Sequence, residues 1–321
     1  MNNFTRAINF SISQFPIMAL SIGIDLGGTN IKAVLLDQDG HRHLQTTRST
    51  GQHQDAEDEW AWKNAVRDTY LDLKKQFGDR VTSVGLSAPG IANAENSAIL
   101  CMPGRLFGLE NFNWTEFLGE KTWVVNDAHA ALMAEASFGA AKGFQNAVLL
   151  TLGTGVGGGV LIGGELYQGF YQIAGHAGHT TVDAQDVHRD ATGMPGAIED
   201  AIGDESLLRR SLGRFSSTRE LVEAYRKGDH FATWLWLSSV QKLAVTICSI
   251  CNLLSPEVVV LGGGIAKAGD TLFQPLLEFK DLYEWRPGGK KTPVVQARFG
   301  EFAGATGVAA FAMRKSLKAE I

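Results

Sequence analysis

With 321 residues, 45% of them hydrophobic and 20% charged, the chain is long enough for two domains with sizeable cores, and its composition excludes a disordered protein. Twenty-nine basic against 34 acidic residues give a net charge of −5 with no long basic run, so nothing in the charge favours nucleic acid as a partner. Three cysteines, Cys101, Cys248 and Cys251, are too few for a disulfide scaffold, and the last two read as buried free thiols in an apolar, helix-like stretch.

Residues 1–17 lack the basic start, apolar core and cleavage site of a secretory signal, so they read as an extension and Met18 as an alternative start. No unbroken apolar run reaches the roughly 18 residues of a membrane span, and a cytoplasmic location is expected. The first strand ends in Gly23-Ile24-Asp25-Leu26-Gly27-Gly28-Thr29, and a second runs from Asn30 to Asp37. Through Asp39-Gly40 the chain turns into a third strand, His41 to Ser49. Trp62, Val66, Tyr70, Leu73 and Phe77 recur at helical spacing within Glu59 to Phe77, and Val81 to Ser87 is a strand. Lys121 to Asn126 reads as another strand, followed by a helix from Ala128 to Phe138, which leaves Asp127 at the junction.

At Ala147 the pattern restarts. Strands Ala147 to Leu152 and Gly159 to Ile162 flank a second glycine turn, Gly153-Thr154-Gly155-Val156-Gly157-Gly158, and the restart suggests two related α/β halves across a cleft. Helix-rich sequence fills Glu199 to Leu254, a strand spans Val258 to Leu261 before Gly262-Gly263-Gly264, and a helix runs from Gly304 to Met313. Glycine inside an element costs roughly 0.5–1 kcal/mol against alanine, so three strand-ending glycine clusters point to one phosphate and nucleotide site, where bare backbone amides face the phosphates.

These segments resemble the ROK family of sugar kinases and sugar-responsive repressors. Asp25 to Lys32 is similar to its first phosphate motif, Asn126-Asp127-Ala128 to its catalytic Asn-Asp, Leu152 to Gly159 to its second phosphate motif, and Leu261 to Gly264 to its nucleotide loop. The resemblance implies the actin-like ATPase fold, a duplicated ribonuclease-H-like α/β domain. The expected division is an N-terminal domain over 18–127, completed by the C-terminal helix 304–321, and a second domain over 128–303. It implies transfer of the γ-phosphoryl of ATP to a sugar hydroxyl, with Asp127 as base and Asp25 holding Mg²⁺ directly or through water. Gly27, Gly28, Thr29, Lys32, Gly153, Thr154, Gly155, Gly262, Gly263 and Gly264 would surround the nucleotide, and Asn126, His176, His179 and Glu199 the sugar. Polyphosphate stays open as a donor, as does a homodimer.

The chain departs from the family pattern twice. Where the family has Gly-Glu-x-Gly-His, this chain reads Gly175-His176-Ala177-Gly178-His179, so an imidazole with one donor and one acceptor replaces a carboxylate. Where the family's zinc loop has cysteines, this chain has Asp190, Thr192 and Ala197, and no structural zinc is expected. Arg105 lies where the family places a sugar-binding loop; contact with an acidic acceptor and a surface ion pair are both open for it. About 20 residues precede the first strand, too few for the repressors' DNA-binding module, while a catalytically weak sugar-binding protein of the same fold stays open because of His176.

Overall fold

The computed structural model describes residues 19–51, 59–102, 106–190 and 192–319. The first three strands, β1 (Leu20–Leu26), β2 (Asn30–Asp37) and β3 (Arg42–Ser49), form an antiparallel meander. The Asp37 carboxylate accepts the amides of Asp39 and His41 at 3.0 Å each, and Gly40 turns with φ +84°. Helix α1 (Glu59–Phe77) then returns the chain to β4 (Val81–Ala88), parallel to β1. A short ribbon, β5 (Ile91–Ala92) and β6 (Ile99–Cys101), and helix α2 (Trp114–Leu118) lead to β7 (Thr122–Asn126). The sheet order is β3-β2-β1-β4-β7.

Alternation along β1 divides its two faces. Leu20, Ile22, Ile24 and Leu26 pack with Trp62, Val66, Tyr70 and Leu73 of α1 in one core. Ser21, Gly23 and Asp25 face the C-terminal helix instead: Ser21 donates to the carbonyl of Ala309 at 2.9 Å, and a methyl group at Gly23 would overlap the carbonyl of Ala305.

The second half repeats this plan. After helix α3 (Asp127–Phe138) come β8 (Ala147–Leu152), β9 (Val156–Ile162) and β10 (Glu165–Tyr167), again an antiparallel meander. Helices α4 (Ile198–Ile202), α5 (Leu207–Arg210), α6 (Thr218–Arg226) and α7 (His230–Leu254) precede β11 (Val258–Gly262), which is parallel to β8. Helix α8 (Asp270–Tyr283), β12 (Val294–Gln296) and helix α9 (Ala303–Ala319) complete the described chain. The order β10-β9-β8-β11-β12 repeats that of the first sheet.

Among the described residues, α7 alone is long and apolar enough on average to span a bilayer, although polar residues interrupt it. Its Leu235, Trp236, Val240, Leu243, Ala244 and Ile247 fill the core of the second half. Cys248 on that helix is buried and its thiol pushed up to about 11 by that burial, whereas Cys251 is only partly covered and Cys101 is exposed. Helices α3 and α9 pack so closely that a methyl group at Gly307 would overlap the carbonyl of Ala130, and both contribute to a core shared with β8 and β11.

Candidate active site

Asp25 stands one residue from the end of β1, directly opposite Ser87 in the parallel register with β4. The Ser87 hydroxyl donates to Asp25 Oδ1 at 2.7 Å. Burial pushes the Asp25 carboxyl up to about 6; the Ser87 hydrogen bond opposes this, the nearby charge of Asp127 adds to it, and Lys32 opposes it. A methyl group at Gly304, in the first turn of α9, would overlap the Asp25 carboxylate, so that helix start lies against the acid. Lys32, paired across the hairpin with Asp25, also reaches Glu301 at 3.7 Å. The intervening turn is held from below, because Thr50 donates its hydroxyl to the carbonyl of Gly27 at 2.8 Å and its amide to that of Thr29 at 2.9 Å. Gly28 and Thr29 stay exposed.

Helix α3 begins at Asp127, and its cap is Asn126. Asn126 Oδ1 accepts the amides of Ala128 at 2.9 Å and His129 at 3.2 Å, while Nδ2 donates to the carbonyl of Gly90 at 2.9 Å. One Nδ2 hydrogen remains for another acceptor. Relieved of the cap position, Asp127 is exposed to solvent, with Oδ1 accepting the Ala128 amide at 2.8 Å. Water reaches the carboxylate although protein surrounds it closely; this crowding raises its pKa, with the Ala128 amide opposing.

The second and third glycine turns adjoin each other: a methyl group at Gly263, where φ is +87°, would overlap the carbonyl of Leu152. The carbonyls of Gly153 and Thr154 accept the amides of Asp204 at 2.9 Å and Glu205 at 3.0 Å, which fixes the turn against the segment after α4. Glu199 in the first turn of α4 accepts the amide of Val156 at 2.9 Å, and a methyl group at Gly155 would overlap its carboxylate where it stands. Gly264 is exposed.

His179 Nδ1 lies 3.2 Å from Asp190 Oδ2. Asp190 Oδ1 in turn accepts the amides of Thr192 at 2.8 Å and Met194 at 2.9 Å and the Thr192 hydroxyl at 2.7 Å. Burial alone would raise the Asp190 carboxyl; these bonds and His179 more than offset it and hold it below its usual value. Ligand atoms of His179, Asp190 and Glu199 come within 4.8 Å of one another, yet both carboxylates already accept backbone amides, Asp190 from its own loop and Glu199 from Val156 at the start of β9.

His176 sits over α3, its ring edge-to-face with that of His129 at a centroid distance of 5.4 Å. His129 is 1% exposed and donates from Nε2 to the carbonyl of Ala174 at 3.0 Å; its Nδ1 and the Nε2 of His176 are buried without partners. Burial pushes His129 down to about 4, and burial followed by the charge of His179 lowers His176.

Sequence reasoning overlooked Ser87 and His129. The strand register that seats Ser87 on Asp25 has no local signature, and His129 lies in a helix whose apolar residues spread all round it. Arg105 and residues 1–17 lie outside the described residues.

The ROK family profile matches residues 21–315. The chain is 31% identical over 277 residues to the glucokinase of Thermotoga maritima, covering 80% of this chain and 86% of that protein. It is 28% identical over 329 residues to the glucokinase of Streptomyces coelicolor, covering 91% and 97%. Among solved structures it resembles a ROK hexokinase from Thermus thermophilus with a TM-score of 0.82 at 29% identity, over 93% of this chain and 99% of that one. It also resembles a ROK family glucokinase from Streptomyces griseus, solved with glucose and AMPPNP, with a TM-score of 0.73 at 25% identity, over 92% and 100%. With two sheets of the same strand order, glycine turns ending β1, β8 and β11, and a family match spanning nearly the whole chain, this protein belongs to the ROK family and has its actin-like ATPase fold.

Proposed function

We propose that this protein is an ATP-dependent carbohydrate kinase that phosphorylates a hydroxyl of a hexose or amino sugar, with Asp127 as general base. The observation that carries this reading is the freedom of Asp127: its neighbour Asn126 caps α3, and its own carboxylate is open to solvent beside Asp25. The sugar oxygen would form a bond to the γ-phosphorus as the bond to the β-phosphate oxygen breaks, and the hydroxyl proton would pass to Asp127. The raised pKa of Asp127 suits it to accept that proton. Lys32 and the amides around Gly27, Gly28, Thr29, Gly153, Thr154 and Gly155 would orient the phosphates, and the turn at Gly262–Gly264 the rest of the nucleotide.

Asp25 offers hard oxygen ligands beside a second carboxylate that repels it, a donor set that suits Mg²⁺. Bound there, the ion would neutralise charge on the transferred group. The family's cysteine-held zinc does not fit, since Asp190, Thr192 and Ala197 offer no sulfur, and the Asp190 carboxylate already holds its own loop. On the sugar side, His176, His179, Glu199 and the remaining donor of Asn126 would receive hydroxyl groups. The relatives named glucokinase, N-acetyl-D-glucosamine kinase and N-acetylmannosamine kinase support the substrate class without selecting within it. We also read residues 18–127 with 304–321 as one domain and 128–303 as the other.

A coupled assay across hexoses and amino sugars, with ATP and Mg²⁺, tests the proposal. ADP release that depends on one or more of these sugars is expected, and sugar-independent or absent turnover across the panel would sink it.

A further inference from the structure

The two connections between the halves meet at one buried side chain. The chain leaves the first sheet through α3 and crosses to β8 by residues 139–146, then returns from β12 to α9 by residues 297–302. Glu135, about two turns along α3 from Asp127, is 0% exposed. Its Oε2 accepts the amide of Ala140, in the first crossing, at 2.7 Å. Its Oε1 accepts the amides of Arg298 and Phe299, in the second, at 2.8 Å each. Gly139 leaves the space this requires, since a methyl group there would overlap Oε2. The backbone carbonyl of Glu135 accepts two more amides of the first crossing, those of Gly139 and Ala141, at 3.0 Å each.

Both crossings lead to the reacting groups. α3 is a rigid rod with Asp127 at its start, and the segment after Phe299 runs through Glu301, the partner of Lys32, to Gly304 against the Asp25 carboxylate. We infer that Glu135 is a positioning residue, the pivot that fixes Asp127 relative to Asp25 while the two halves move about it. Only a carboxylate satisfies all three amides. A glutamine has one oxygen, so its NH₂ group would face either Ala140 or the Arg298–Phe299 pair, and at least one of the three amides would lose its acceptor. A misplacement of about 1 Å at a reacting centre costs on the order of 10²-fold in rate, far more than it costs in binding to either half.

The kinetic part of this inference rests on the kinase reading; the structural part does not. In the full-length protein, Glu135→Gln is expected to lower kcat by about 10- to 100-fold with KM for sugar and for ATP held within about threefold. Leu221→Ala, a core truncation in α6, serves as the comparison for general destabilisation and should leave kcat within about twofold of wild type. Retention of more than about half of kcat by Glu135→Gln, or a loss matched by Leu221→Ala at equal Tm, would overturn the inference. Hydrogen exchange on wild-type protein needs neither variant nor activity. The amides of Ala140, Arg298 and Phe299 should exchange slowly and as one group, and exchange at surface-loop rates, or at three unrelated rates, would overturn the pivot even if Glu135→Gln failed to fold. Wild-type protein that phosphorylates no sugar would instead remove the kinase reading and leave the exchange result to decide the pivot.

Discussion

Glu199 Oε2 accepts the backbone amide of Val156 at 2.9 Å, so an acid expected to face the sugar also braces the turn between β8 and β9, the one proposed to hold the phosphates. Glu199→Ala should therefore raise KM for ATP as well as for sugar, each by about tenfold, the order expected for a lost hydrogen bond to a charged group. Initial rates measured against each substrate at saturation of the other check this. A rise confined to the sugar would show that the turn holds without its brace.

Asp127→Asn should abolish turnover and leave sugar affinity within a few fold, because the amide keeps the hydrogen bonding but cannot accept the proton. Calorimetric sugar binding alongside the coupled assay separates the two effects. More than about a tenth of wild-type kcat in the variant would remove Asp127 from the role of base.

Asp25 carries a stability penalty with a definite sign. Its folded-state pKa of about 6 lies above the ordinary 3.8, so its favourable contribution is complete below about pH 4 and is lost as pH rises through about 6. At pH 8 the ionised group then costs up to about 3 kcal/mol, less as cleft water solvates it. Asp25→Asn should raise Tm at pH 8, raise it about half as much at pH 5 and eliminate turnover. An equal change in Tm at the two pH values would contradict the assignment.

The Asp190 loop should hold without zinc. Protein purified without chelator is expected to contain no stoichiometric zinc, and Asp190→Ala should destabilise the fold by about 1–3 kcal/mol through the loss of its amide and hydroxyl partners. Elemental analysis and thermal melts read these directly. One zinc per chain surviving dialysis would point to His179, Asp190 and Glu199 as ligands.

Acid should act through buried His129 and the half-buried His176 packed against it. His129 is held neutral down to about pH 4, so as pH falls from 6.5 toward 4 the unfolded chain gains a proton that the folded one refuses, and roughly 3 kcal/mol of stability is lost. His129→Gln keeps a donor for the Ala174 carbonyl but does not titrate there, and its Tm should fall less steeply over that range. His176 is also lowered, so any rise in sugar KM from its protonation belongs below pH 6.5 rather than at it. A Tm profile unchanged by His129→Gln would show that the ring is not the acid-sensitive group.

Periodicity and turn chemistry determined much of this protein directly. Glu59–Phe77 and Ala147–Leu152 form with the expected bounds, and the restart at Ala147 is the second of two sheets with one strand order. These features are local: alternation, helical spacing and glycine at strand ends act within a few residues of themselves. Helix α8 and strand β12 escaped notice, the helix because Pro275 lies inside it and the strand because it is only three residues long. The tertiary structure alone decided which of Asn126 and Asp127 caps α3, that Ser87 holds Asp25, that Glu199 braces a turn 43 residues away, and that Glu135 joins amides of both crossings. Each of these depends on a backbone amide or hydroxyl brought in from a distant segment, and no residue's own neighbours record which distant donor will meet it once the halves have packed.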